Sequence, residues 1–200
     1  MPRGLPDAVG KHETDGGETG REPEVVWSVA RGWLSRVRAE YSAGQERPLG
    51  GYLGLISIYA GGTAAVALLA KVLKRPMPSG VGTADLLMVG VATHKLSRMI
   101  AKDPVLSPFR TPFTTFAGQS GEAELSEEVR GHGLQYAAGE LITCPFCLAQ
   151  WISTGLVAGL VLAPKPTRLL ASTIAAKAIS DTAQLLYDAT QKAAQSSDPS

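Results

Sequence analysis

Between Tyr52 and Ala70 the chain carries no charged residue, and Lys71, Lys74 and Arg75 close the run. A helix of that length crosses the hydrocarbon core of a bilayer, which takes about twenty residues. Its Gly61, Gly62, Ala64, Ala65 and Ala67 would weaken a helix in water; in lipid, small residues let neighbouring helices approach closely. The competing reading is the core helix of a soluble protein. A helix apolar all round needs a large protein to hide it, and 200 residues with polar ends leave one modest domain.

A second uncharged run extends from Phe146 to Ala163, just behind Pro145. It holds Trp151 and a Gly155-x-x-x-Gly159 pair, which presents a flat face for helix packing. Gly61, Ala65, Gly155 and Gly159 are therefore the expected packing positions. Two weaker segments complete the set. Thr83 to Ile100 has an apolar stretch between Asp85 and His94, Lys95 and Arg98; Thr167 to Tyr187 holds Lys177 and Asp181 inside. Ionisable groups at membrane depth normally pair or face a bundle interior. Lys177 and Asp181 are four apart and so neighbours on one helix face. An interfacial position for this last helix is the alternative.

The ends differ in kind. Residues 1–24 are rich in Gly, Glu, Thr, Pro and Asp with little to bury, and residues 189–200 resemble them, so both are expected as disordered tails. No apolar core lies near the N-terminus as a secretory signal requires, so the first long run is expected to be a retained anchor. Within 25–47, Val26, Val29, Ala30, Trp33, Leu34, Val37 and Tyr41 follow helical spacing while Arg31, Arg36 and Arg38 take other faces. That pattern suits an amphipathic helix on an anionic membrane surface. The distribution of Lys and Arg favours a cytoplasmic N-terminus by a small margin. Net charge is +1, and no aromatic-plus-basic platform offers itself to nucleic acid.

The connection between the second and third apolar segments is too long for a simple link. Pro104, Pro108 and Pro112 recur every four residues, which excludes a regular helix there. Phe109, Phe113 and Phe116 could face lipid headgroups or cover the bundle end. Asp103 is placed to pair with Arg98 or Arg110 and clasp the chain where it leaves the membrane. Glu122, Glu124, Glu127 and Glu128 read as a solvated acidic face, and His132, between two glycines, as a turn residue.

Taken together, Arg98, Lys102-Asp103, Ser107-Pro108-Phe109-Arg110, Glu140-Leu141-Ile142-Thr143-Cys144-Pro145-Phe146-Cys147 and Trp151 resemble the family typified by the sporulation membrane protein YjcA, catalogued as domain of unknown function 1360. The resemblance covers roughly Leu49 to Ala163. It implies a small multi-span membrane protein with no assigned reaction, and its motif marks Arg98, Asp103, Pro108, Arg110, Glu140 and Trp151 as structural positions.

The chain's two cysteines, Cys144 and Cys147, stand at the mouth of the second apolar run. A thiolate at a helix N-terminus is favoured by exposed N–H groups and the helix dipole, and Pro145 suits the first turn. The tetrapeptide looks like a glutaredoxin active site, but the alternation of strands and helices that fold needs is absent. A membrane-bound thiol redox site is one reading. A zinc half-site is another, with His94, His132, Asp103 and Glu140 as the remaining candidate ligands. Two reduced thiols that simply pack are the third. No Ser/His/acid set, Walker loop or dinucleotide fingerprint appears.

The sequence therefore predicts an all-α integral membrane bundle of about four helices, near 52–73, 83–100, 146–163 and 167–187, within a membrane domain spanning 49–188. It is expected to be multi-pass in the cell membrane and to act as a structural or interaction protein of the bacterial envelope. Its expected partners are the lipid bilayer, a second copy or another membrane protein, and no cofactor is required. The rival is a redox or metal-binding protein using Cys144 and Cys147. A small transporter built around His94, Arg98, Lys177 and Asp181 is a third reading.

Overall fold

The computed structural model describes residues 31–33, 35–37, 39–41, 47–76, 80–121 and 123–196, and it divides into two units, Met1–Arg47 and Pro48–Ser200. In the first unit residues 31–33, 35–37 and 39–41 are helical, and Trp33, Val37 and Tyr41 are exposed at a spacing of four, on one helix face. The expected tail at 1–24 and the start of the amphipathic segment lie outside the described residues.

The second unit is built from helices. α1 spans Leu49–Val72. It ends where Lys74 takes a left-handed φ of 50° and the Arg75 N–H returns to the Ala70 carbonyl at 2.9 Å, a stop more often built on Gly. α2 spans Thr83–Lys102. A 3₁₀ turn, Pro104–Leu106, and a single helical turn α3, Ser107–Arg110, follow. The prolines do prevent a long helix here, yet Pro104 and Pro108 each sit in a first turn, where the missing N–H costs nothing, and Pro112 lies in the turn that follows α3. Asp103 Oδ1 accepts the Val105 N–H at 2.8 Å and so starts the 3₁₀ turn.

Next comes an antiparallel hairpin of β1, Thr114–Gly121, and β2, Glu124–Val129, with Thr114 opposite Val129 and Phe116 opposite Glu127. α4 spans Gly133–Thr143, α5 Pro145–Leu162, and α6 Pro164–Ser196. The chain is thus mostly helical, as expected. Three features depart from expectation: the connecting loop contains a hairpin and an extra helix, α6 begins at Pro164, and it continues through 189–196, assigned from composition to a disordered tail. That stretch is rich in Ala, Gln and Lys, which are good helix formers, so it extends an existing helix at little cost.

α2 packs on both α5 and α6. Val89, Ala92, Leu156 and Ala171 are buried where the three meet, with Met88, Ile152, Leu160 and Ile174 around them. Ala92 and Ala171 are fully buried, so the small side chains set the helix separation. At one end Arg168 grips Asp85 through two bonds of 2.9 and 2.7 Å. Further along, Asp181 receives both Lys95 (2.6 Å) and Lys177 (2.7 Å), joining α2 to α6.

α1 leans mainly on α4. A Cβ at Gly51 would stand 2.3 Å from the Gly133 carbonyl oxygen, so the two backbones touch there. The Tyr52 hydroxyl donates to Glu140. Higher up, the ring of Tyr59 meets Trp151 edge-on at 5.2 Å, and its hydroxyl lies 2.7 Å from Thr154 Oγ1. Among the described helices, α1 and α5 are long and apolar enough to cross a membrane. α2 and α6 do not meet that test; Asp85, Lys95, Arg98 and Lys102 interrupt the first, and Lys177 and Asp181 the second.

Candidate functional site

The sequence-marked residues gather at the end of the bundle where α2 stops and α5 starts. Arg110 holds this end together. Its side chain is 1 % exposed and that of Glu127 7 %. Nε and Nη2 donate to the two Glu127 oxygens at 2.8 and 3.0 Å, a bidentate fork. Nη1 donates to the carbonyls of Ile100 (2.8 Å), which the end of α2 leaves without a helical partner, and of Asp103 (3.0 Å), which also accepts the Leu106 N–H. Thr114 Oγ1 adds a 3.1 Å contact to Glu127 Oε2. One guanidinium therefore ties the C-terminus of α2 to the hairpin.

The clasp differs from the sequence expectation in its partner. Asp103 engages Arg110 through its backbone carbonyl, while its carboxylate caps the 3₁₀ turn. Arg98 pairs with Glu124, through bonds of 3.1 and 2.5 Å. Glu124 and Glu127, read as a solvated acidic face, are the two counter-ions. Strand pairing brings them back beside α2 and α3, and no local spacing reveals that return. Pro108 sits at the first turn of α3. Gly139 lies against the hairpin, where a Cβ would come within 2.4 Å of Val129 and 3.0 Å of the Phe113 carbonyl.

Cys144 is the N-cap of α5, with extended backbone, and its sulfur accepts the Cys147 N–H at 3.3 Å. Burial pushes the Cys144 thiol up. Hydrogen bonds from the Cys147 thiol and from the backbone N–H groups of Cys147 and Phe146, with the charge of Lys102, outweigh it and leave Cys144 below the ordinary thiol value. Both cysteines are free thiols, Cys144 half-buried and Cys147 exposed. The arrangement favours the thiolate form of Cys144 relative to a free cysteine and places a second thiol beside it.

Zinc needs more. Among the described residues no group of three or more His, Cys, Asp and Glu side chains converges to hold a metal ion. His132 is the N-cap residue of α4, its backbone carbonyl accepting the Gln135 N–H, and the Glu140 carboxylate accepts from Tyr52.

Trp151 packs on Tyr59, as above. The expected packing glycines divide. Gly159 abuts Thr167, whereas a Cβ at Gly61 or at Gly155 would meet nothing within 4 Å. Ala65 is exposed. Between α1 and α5 this leaves an apolar cleft of about 380 Å³. Tyr59, Gln150 and Thr154 form a polar cluster at its lower end, with Gln150 Nε2 donating to the Tyr59 hydroxyl at 2.8 Å. Sequence reasoning missed this cluster. The signal was present: Tyr52 and Tyr59 are seven apart on one helix face, and a tyrosine hydroxyl in an apolar run needs a partner.

Comparison with known families finds that the model described as "Protein of unknown function (DUF1360)" matches residues 88–187. No curated protein and no solved structure matches the chain.

Proposed function

The chain belongs to the DUF1360 family of proteins of unknown function, and from that premise we propose that it is a multi-pass protein of the bacterial cell membrane, working as a structural or interaction component of the envelope. One observation carries the reading. The most apolar 18-residue windows of α1 and α5 are each only 6 % buried inside the protein, and Leu53, Ile56, Ile58, Leu68 and Leu69 stand exposed along α1. The core helix of a soluble domain is buried; one that presents this much apolar surface needs lipid or partner helices around it.

Antiparallel passage of α1, α2, α5 and α6 makes four crossings. The charges of α2 and α6 then face one another across the bundle, as Asp85 with Arg168 and Lys95 with Asp181, which is how charge is tolerated at membrane depth. With the N-terminus cytoplasmic, the Arg110 clasp and the cysteines lie on the cytoplasmic side.

Single-cysteine accessibility tests the topology. In a Cys144→Ser, Cys147→Ser background, Gly80→Cys should react with a membrane-impermeant maleimide in intact spheroplasts. Gly121→Cys should react only after lysis. The reverse pattern inverts the orientation, and equal labelling of both before lysis rejects the topology.

The thiol geometry favours a second reading, a membrane-bound redox protein with Cys144 attacking and Cys147 resolving. It requires that Cys144→Ser abolish thiol–disulfide exchange while leaving folding intact.

A further inference from the structure

The cleft between α1 and α5 has the dimensions of a lipid tail. Its walls are Gly62, Val66 and Ala70 on one helix and Gly155, Ala158 and Val161 on the other, with Tyr59 and Trp151 closing the lower end. From Tyr59 to Ala70 it runs about 17 Å at the helical rise per residue. A cleft of about 380 Å³ over that length is long, narrow and apolar, a shape that suits one extended hydrocarbon chain.

Charge says which lipid. The cleft's upper end coincides with the end of α1, where Lys71, Lys74 and Arg75 follow one another, and Lys165 opens α6 at the same end of the bundle. All four are exposed. The helix stop at Lys74 sets this basic run directly after Ala70, the last residue of α1 that lines the cleft. At the lower end the hydroxyls of Tyr59 and Thr154 bond each other, so the tail meets rings and methylenes.

We propose that the groove between α1 and α5 is a binding site for an anionic glycerophospholipid, one acyl chain lying along Gly62 and Gly155 and the phosphate held at Lys71, Lys74 and Arg75. The site rests on the membrane reading above and deepens it: the protein recognises a particular headgroup charge in the leaflet that α1 reaches at its C-terminus. The unfilled space beside Gly62 and Gly155 is then the reason those positions are glycine.

Trp151 reports on the groove. Trp27→Phe and Trp33→Phe make it the sole tryptophan of the full-length chain. That protein is reconstituted into phosphatidylcholine vesicles containing a fixed minor fraction of dibrominated phosphatidylglycerol or dibrominated phosphatidylcholine. Quenching by the phosphatidylglycerol should exceed that by the phosphatidylcholine at least twofold. Gly62→Leu with Gly155→Leu fills the groove without a steric clash at either Cβ, and should remove most of the excess. Replacing Lys71, Lys74 and Arg75 by Gln, all on exposed side chains, should equalise the two lipids independently of the groove.

Equal quenching by the two lipids in the parent protein, or an unchanged excess in the filled variant, overturns the proposal and leaves ordinary boundary lipid. Absence of quenching by either lipid overturns it in favour of a protein occupant. Release of the parent protein from its vesicles by alkaline carbonate is a separate failure, that of the membrane reading itself.

Discussion

Replacing Arg110 by Met should detach the hairpin from the bundle. The substitution keeps volume and removes the charge, leaving Glu127 buried at 7 % exposure without its counter-ion and the Ile100 carbonyl without its Arg110 donor, while the Asp103 carbonyl keeps the Leu106 N–H. Breaking a buried ion pair from one side costs about 3–5 kcal/mol. A two-stranded hairpin alone in water is marginal, so loss of docking means loss of its ladder. At 1.4 kcal/mol per decade, the open population should rise by roughly two to three and a half decades. Hydrogen exchange in detergent measures this directly: amides of Thr115–Gln119 and Leu125–Glu128 should exchange about a hundredfold faster or more, while those of α5 change little. Arg110→Lys should fall between, since an ammonium cannot reproduce the fork. Arg110→Met with Glu127→Leu should recover part of the loss, the Ile100 carbonyl left without Arg110 retaining about 1–3 kcal/mol of it. Hairpin exchange less than threefold faster in Arg110→Met would refute the reasoning.

Gly51→Ala should separate α1 from α4, because its Cβ would stand 2.3 Å from a backbone oxygen; a cost of about 1–3 kcal/mol is expected as a lowered melting temperature, and an unchanged one would mean that contact is not made. In the wild-type protein Cys144, followed by mass spectrometry of its peptide, should be alkylated by iodoacetamide with a midpoint below that of free cysteine, given the Cys147 thiol, the backbone donors and Lys102 beside it, and a midpoint at or above free cysteine contradicts the capping geometry. The sign for stability follows: a depressed thiol contributes stability above its ordinary value and loses it as pH falls through the lowered one. Asp181→Asn leaves Lys95 and Lys177 sharing a neutral amide, so thermal stability should fall, and Lys95→Met added to it should restore part; no restoration would mean the two do not interact in the folded chain.

The long apolar runs made α1 and α5 legible, because nothing but lipid or a large core accommodates them. The i,i+4 spacing likewise exposed the Lys177–Asp181 bond, now 2.7 Å. What sequence could not reach are pairings made by long-range return of the chain. Glu127 joins Arg110 only because β1 and β2 fold back, and an acidic cluster on a ribbon looks like any solvated one until that return is known. The same holds for Glu140, whose partner Tyr52 is 88 residues away. The chain after Tyr187 was misjudged for another reason: its composition is polar, but Ala, Gln and Lys extend a helix already nucleated at Pro164. The capping position of Cys144 is legible because it is local, with Pro145 marking the first turn of α5.

The account stands or falls on membrane integration. The full chain, expressed in a bacterial host, is sedimented with the membranes and washed in alkaline carbonate, which strips peripheral proteins. The account predicts that it stays in the pellet and leaves only with detergent. Release of most of the protein into the carbonate supernatant, as a soluble and folded species, would contradict it.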